Sequence, residues 1–192
     1  MEQVAASGFL TTAFESAAEE LDDFDAVVRL HWPAVFRFAL ASLRDRDAAQ
    51  TLTQDCFVKA WRGRGAFRGE STVKTWIVRI AVNLVRDHAR NRRLQFWKRT
   101  TARARDIQEA GERIPDERMS AETRVLRDEQ IRAVWEISGT LPERQRTVFL
   151  LRFVEDMDLL EISSALGLKE GTVKTHLFRA VQSVRERLGG VE

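Results

Sequence analysis

The periodic hydrophobic pattern of this chain is interrupted between residues 97 and 119, and this interruption limits the folds that the chain can adopt. On both sides of the break, apolar residues recur at the three- and four-residue spacings of amphipathic helices. The stretch KRTTARARDIQEAGERIPDERM itself has almost nothing to bury. No convincing period-two segment with turn residues indicates a strand. The sequence therefore predicts an all-α fold, with two small helical domains joined by a flexible linker.

The predicted boundaries follow from this pattern. An N-terminal extension covers 1–22, the first domain 23–97, the linker 98–119 and the second domain 120–189. In the first domain the spacing predicts three helices: about 24–44, with a kink or restart at Pro33; 45 or 47 to 61; and a long helix capped by Ser71 or Thr72. Trp61 is predicted in the core, and Trp76 is more consistent with the core than with an exposed wedge.

In the second domain, Ser120 is a candidate cap, and a helix should start at Pro142. The predicted core positions before that helix are Val125, Leu126, Ile131, Val134 and Trp135.

Charge is segregated along the chain, although the formal net charge is only +2. Residues 14–25 hold six acids and no base, whereas residues 86–105 hold eight Arg or Lys and one acid. This asymmetry suggests an anionic partner at one place and a different surface elsewhere. The lone Cys56 excludes an internal disulfide and a cysteine-based zinc cluster.

No apolar run is long enough to span a membrane, and no basic-then-apolar signal begins the chain, so we expect a cytoplasmic protein without membrane insertion. Acids are scattered, Ser-His-Asp spacing is absent, and GRGAFRG lacks the Lys-Ser/Thr ending of a phosphate loop. We therefore expect no enzyme, no cofactor and no metal site.

The segment LLEISSALGLKEGTVKTHLFRAV has the anatomy of a helix-turn-helix. A short helix would turn Leu160 and Ile162 inward, Gly167 would form the turn, and Leu168 would fill the corner before a second helix begins near Glu170. From residue 171 to 184 this second helix carries no acid. Its basic, hydroxyl and aromatic side chains suit phosphates, base edges and thymine methyl groups. An ordinary helical hairpin with a solvated basic face is the alternative.

Four segments, in this order, resemble the extracytoplasmic-function (ECF) group of bacterial sigma factors over residues 24–188: DAAQTLTQDCFVKAW, FRGESTVKTWIVRIAVNLVRDHARNRR, LPERQRTVFLLRFVE and EISSALGLKEGTVKTHLFRA. TVKTHL would equally suit the output domain of a LuxR-type regulator, but nothing like a receiver or ligand-binding domain precedes it. The resemblance implies sigma domain 2, a linker and sigma domain 4, and a protein that directs promoter-specific initiation by core RNA polymerase. A stand-alone DNA-binding regulator and a helical interaction adaptor are the alternatives.

The resemblance also implies roles for particular residues. Docking on the clamp helices of the polymerase largest subunit falls to Gln54 and Asp55, with Phe57 nearby. The implied minus-ten residues are Phe67, Arg68, Glu70, Ser71, Lys74, Trp76, Arg79, Asn83 and Arg86. The implied minus-thirty-five residues are Thr172, Lys174, Thr175, His176, Phe178 and Arg179. Arg146 and Arg152 are weaker candidates for phosphate contacts. An anti-sigma factor is expected as a further partner.

Overall fold

The structure is a computed structural model that describes residues 20–99 and 134–188, without the side chains of 92–99. Its helices are α1 (Phe24–Leu43), α2 (Arg46–Gly63), α3 (Val73–Arg99), α4 (Glu143–Phe153), α5 (Leu159–Leu166) and α6 (Glu170–Leu188). A 3-10 turn spans Arg64–Ala66, and residues 134–140 are also helical. No strand occurs in these two described ranges, which confirms the all-α prediction. Most of the predicted linker, and the positions Ser120, Val125, Leu126 and Ile131, lie outside the described residues.

Helix starts are set by side-chain caps. Of the predicted alternatives, Asp45 accepts a hydrogen bond from the N–H three residues on at 2.9 Å, and Thr72 does the same at 3.1 Å. Asp158 and Glu161 form a reciprocal capping box at the start of α5. These acceptors satisfy N–H groups that have no partner within the helix.

Helix α1 runs without interruption through Pro33, so the alternative of a helix restart there is wrong. Pro33 is exposed, while Val27 and Val35 on either side are 1% exposed. Burial of both flanking turns in one core favours a continuous helix, and Pro33 itself lies on the exposed side of that helix.

The N-terminal unit, α1 to α3, has a core that includes Phe38, Val73 and Ile77. At its edge, Trp32 stacks on Phe57 with ring centroids 5.6 Å apart. Buried Cys56 directs its thiol towards a carbonyl of α3, and burial raises the pKa of this thiol to about 12. Cys56 is therefore an unreactive packing residue at neutral pH.

The prediction that Trp61 is a core residue is wrong. Trp61 is 47% exposed. Its ring centroid lies 5.2 Å from that of Phe24, and the Arg64 guanidinium lies 3.2 Å from the Trp61 centroid. The inward stripe of α2 passes through Cys56 and Ala60, so the next residue along the helix lies at the rim of the core.

The C-terminal unit, residues 134–188, contains the predicted helix-turn-helix. Gly167 joins α5 to α6 with φ 63°, a conformation that glycine adopts without strain. Ile162 and Val173 are fully buried. Leu160, however, is 66% exposed, so its predicted inward orientation is wrong. Once Ile162 faces the core, a residue two positions earlier on an α-helix must face away from it.

The two units pack against each other, α3 against α5 and α1 against α4. One contact between them is an ion pair, 3.0 Å long, between Arg37 of α1 and Glu155 after α4. The side chain of Glu155 is 1% exposed. The two predicted domains therefore share a buried polar contact.

Candidate nucleic-acid interface

Helix α3 brings four of the predicted residues onto one stripe: Trp76, Arg79, Asn83 and Arg86 recur at spacings of three and four. Arg79, Asn83 and Arg86 are exposed. Arg86 donates to the Asn83 amide oxygen at 2.9 Å, which leaves the amide N–H groups to face a ligand. The stripe joins an aromatic surface to an amide and two cations, a combination suited to unstacked bases and phosphates.

The loop before α3 lies at the start of this stripe. The rings of Phe67 and Trp76 are 5.1 Å apart, and both are half-buried, so Trp76 is both a packing residue and part of the surface. Gly69 has φ 66°, which lets the loop turn sharply between the exposed side chains of Arg68 and Glu70. Ser71, at the end of the loop, is half-buried. The loop therefore presents an aromatic wall beside charged groups.

Lys74 and Arg79 make their hydrogen bonds with the other unit. Lys74 donates to the backbone carbonyl of Glu155 at 3.0 Å. Arg79 donates to the backbone carbonyl of Ser164 at 2.7 Å and to its hydroxyl at 3.2 Å. These two predicted phosphate contacts are thus bound to the C-terminal unit.

Helix α6 carries the second predicted surface. Its exposed residues include Thr172, Lys174, Thr175, Phe178 and Arg179, and the Phe178 ring is 69% exposed. Lys174 pairs with a carboxylate of the same helix at 2.6 Å. The Thr175 hydroxyl donates to a backbone carbonyl of the same helix at 2.8 Å. The opposite face of the helix is buried. This arrangement suits a recognition helix in a major groove.

Three of the other predicted residues lie further inside. His176 is half-buried, and its buried Nδ1 has no hydrogen-bond partner among the described residues. Arg152 donates to the carbonyl of Met157 at 3.0 Å. Arg146 is half-buried. Its pKa is lowered, mainly by burial and to a smaller extent by repulsion from Arg44. Both arginines therefore have contacts within the protein.

On α2, the exposed residues are not all those predicted for docking on the polymerase. Gln54 and Asp55 are exposed, but the ring of Phe57 is 5% exposed and supports the helix from beneath. Val58 and Trp61, both exposed, continue the stripe from Gln54 at spacings of four and three. Sequence reasoning missed these two, although the spacing from Gln54 was a readable signal.

Sequence reasoning also missed Glu155. Burial raises the pKa of its carboxyl to about 7, although Arg37 and Lys74 nearby lower it. Its Oε1 has no hydrogen-bond partner in the described chain. No local pattern could have indicated this residue, because Arg37 lies 118 positions away in sequence.

Across residues 20–99 and 134–188, no group of three or more His, Cys, Asp or Glu side chains is arranged to hold a metal ion. Within the same ranges, every helix is too short or too polar to cross a bilayer.

Two family profiles match the chain: Sigma-70 region 2 over residues 27–95, and Sigma-70 region 4 over residues 131–184. The RNA polymerase sigma-H factor of Pseudomonas aeruginosa is 32% identical over 167 residues, 86% of each chain. The ECF RNA polymerase sigma-E factor of Haemophilus influenzae is 30% identical over 145 residues, which are 74% of this chain and 76% of that protein.

Two solved structures share the fold. The sigma factor RpoE of Bartonella quintana, in complex with the anti-sigma factor NepR, has a TM-score of 0.70 at 22% identity, covering 88% of this chain and 99% of that one. CnrH, in complex with the cytosolic domain of CnrY, has a TM-score of 0.64 at 22% identity, covering 94% and 97%. From the profiles and the curated relatives, we conclude that the chain belongs to the ECF group of RNA polymerase sigma factors.

Proposed function

We propose that this protein is a sigma factor that binds core RNA polymerase and directs promoter-specific transcription initiation. The observation that carries the proposal is that α3 and α6 of a chain of this family each expose a surface whose side chains suit nucleic acid. Each surface combines cations with an aromatic ring and groups able to hydrogen-bond base edges. Sigma factors act as initiation factors without catalysis of their own, and promoter DNA and core polymerase are the partners.

The proposed division of labour follows the chain. Residues 23–97 would dock on the polymerase and read the minus-ten element, 98–119 would link, and 120–189 would read the minus-thirty-five element. We assign no role to residues 1–22. The α3 stripe and the loop before it would capture an unstacked base beside Phe67, since an aromatic wall and an amide suit a base removed from the duplex. The exposed face of α6 would enter the upstream major groove.

Docking on the polymerase clamp helices is proposed for Gln54 and Asp55, extended along α2 by Val58 and Trp61. The support is a continuous exposed stripe on α2 that combines polar side chains with large apolar ones. Exposed aromatic residues of this kind are enriched in protein interfaces. Phe57 would act indirectly, by fixing the helix against Trp32.

Co-purification with core polymerase tests this function. The parent chain should be retained by core enzyme, and the double variant Gln54→Ala/Asp55→Ala should be retained less while keeping its helical circular dichroism. The matched control is Gln182→Ala/Glu186→Ala, another exposed amide–carboxylate pair, on α6. Equal retention of both double variants would place docking elsewhere. No retention of the parent would favour a stand-alone regulator or an adaptor, which retention on DNA-cellulose then separates.

The isolated chain should bind promoter DNA weakly and gain specificity with core polymerase. The net charge is small, and the basic surface is divided between two units, so each contributes few phosphate contacts. Attachment of both units to one rigid enzyme raises their effective concentration at the promoter. Nanomolar sequence-specific binding by the free chain at physiological salt would contradict this. In vitro transcription with core enzyme on a randomised promoter library would define the sequence that is read.

An anti-sigma factor is proposed as a further partner. The support is that the RpoE structure, which shares this fold, is a complex with the anti-sigma factor NepR. Affinity purification of the tagged chain from its own host should recover a protein that suppresses transcription in the reconstituted assay. Recovery of polymerase subunits alone would argue against this partner.

A further inference from the structure

The C-terminal unit turns backbone carbonyls from three successive segments towards cations of the N-terminal unit. These carbonyls lie within the helical residues 134–140, just past the end of α4, and in the last turn of α5. Arg44 donates to the carbonyls of Trp135 and Glu136, Lys74 to that of Glu155, and Arg79 to that of Ser164.

The chemistry of these contacts resembles that of a phosphate contact. The last carbonyls of a helix lack partners within it and carry partial negative charge, so cations bind them favourably. Phosphate oxygens accept hydrogen bonds from the same lysine and arginine side chains. A DNA backbone bound to Lys74 and Arg79 from this side would have to lie where the C-terminal unit now contacts them.

We propose that the chain blocks itself: the C-terminal unit occupies Lys74 and Arg79 in the place of DNA phosphates, and binding of the downstream element requires the two units to separate. The competitor is thus a segment of the same chain, α5 with the residues that follow α4. This inference rests on the proposed function, because it takes promoter DNA as the ligand of α3.

A second set of contacts holds the two units together without using any proposed DNA-reading residue. We name the pair Arg37–Glu155 and the Arg44 contacts the latch. The Glu155 carboxylate is almost fully buried while Arg37 is 43% exposed, so the pair forms at the rim of the contact. Arg44 lies against Gly139, where an added Cβ would overlap its guanidinium. The latch can therefore be opened by mutation while the α3 stripe stays intact.

The first experiment measures the separation of the units directly. Spin labels at Gln50→Cys on α2 and Gln182→Cys on α6 are both at exposed positions. Buried Cys56, with its raised pKa, should remain unlabelled. The full chain should give one short distance, and the latch variant Arg37→Ala/Arg44→Ala should add longer ones. The control Arg29→Ala/Arg62→Ala removes the same charge from exposed sites of the same unit and should retain the short distance.

The second experiment measures binding of the free chain to a forked DNA with an unpaired downstream strand. An affinity limited by a minor open state rises as that state becomes populated. The latch variant should therefore bind about tenfold more tightly than the charge-matched control if the closed state dominates by roughly that factor. The gain should disappear when Lys74→Ala and Arg79→Ala are added.

The outcomes separate the two proposals. Equal distance distributions for the latch variant and its control would overturn the closed state. Longer distances without a gain in DNA affinity would overturn the self-blocking role. The distance measurement does not depend on polymerase, so a failure of the chain to bind core enzyme would overturn the proposed function while leaving the closed state measurable.

Discussion

Helices α3 and α6 carry similar sets of side chains but differ in what covers them. On α3, Arg79 is hydrogen-bonded to the other unit, as is Lys74 beside the stripe. On α6, Phe178 and Arg179 are exposed, and Lys174 pairs only within its own helix in the described contacts. We therefore expect the proposed upstream reader on α6 to be accessible in the closed chain, and the proposed downstream reader on α3 to gain the use of Lys74 and Arg79 only after the units separate. Promoter recognition should begin at α6.

The strongest test of this comparison removes a base contact from the uncovered helix. Arg179→Ala should weaken preference in the upstream element by about 1–3 kcal/mol, because arginine can contact a guanine edge with two hydrogen bonds. A promoter-library selection with mutant holoenzyme measures this loss position by position. Arg185→Ala, an exposed arginine in the last turn of the same helix, is the matched control and should change little.

A uniform loss across all sequences would contradict base recognition by Arg179. In that case the slope of the logarithm of the binding constant against the logarithm of the salt concentration should become shallower by about one, which identifies a phosphate contact.

The covered helix should give a smaller and spatially distinct effect. Asn83→Ala should change preference in the downstream element by about 1 kcal/mol, since one amide hydrogen bond is lost while Arg86 remains. Strand opening should also slow, measured by permanganate reactivity of unpaired thymines. If Asn83→Ala and Arg179→Ala shift the same element, the assignment of two separate readers is wrong.

The closed state should depend on pH through Glu155. Burial raises the pKa of this carboxyl to about 7 from an ordinary value of 4.5. Between these two values the closed state favours the protonated acid, which still accepts a hydrogen bond from Arg37, whereas the open state favours the carboxylate. Closing should therefore weaken as pH rises through this window, by about 1 kcal/mol between pH 6 and 8. Spin-label distances at the two pH values measure the change.

Glu155→Gln is the control for this prediction. The amide keeps an oxygen that accepts from Arg37 but has no proton to release, so its distance distribution should be the same at pH 6 and pH 8. Equal pH dependence in the parent and this variant would assign the effect to groups other than Glu155.

The helices and their caps were predictable because their signals are local. The periodicity identified the buried faces of α2 and α6, and the residue types Asp45, Thr72 and Gly167 identified a start, a second start and a turn. The errors at Trp61 and Leu160 also have a local cause. Each lies one or two positions from a correctly predicted inward residue, where apolar character alone does not distinguish the core from its rim.

The relation between the two units could not be predicted from the sequence. The latch joins Arg37 to a residue 118 positions away, and Lys74 and Arg79 reach residues more than 80 positions away. Periodicity and capping rules extend over a few turns only. The sequence of the predicted charged linker gave no sign that the domains on either side contact each other. The surface roles on α2, α3 and α6 came from family resemblance and remain predictions.

The smallest expected effect concerns the contact between Arg44 and Gly139, where two terms oppose each other. Gly139→Ala should favour the helix of residues 134–140 by about 0.5–1 kcal/mol, because alanine loses less backbone entropy than glycine. The new Cβ displaces the Arg44 guanidinium from the carbonyls to which it donates, which weakens the latch by a similar amount. The melting temperature should therefore hardly change, while the spin-label distances shift modestly towards the open form. Gly171→Ala in α6, whose Cβ meets nothing within 4 Å, should raise the melting temperature and leave the distances unchanged. If Gly139→Ala behaves like Gly171→Ala, Arg44 does not help to close the chain, and the greater accessibility of α6 over α3 depends on Arg37 and Glu155.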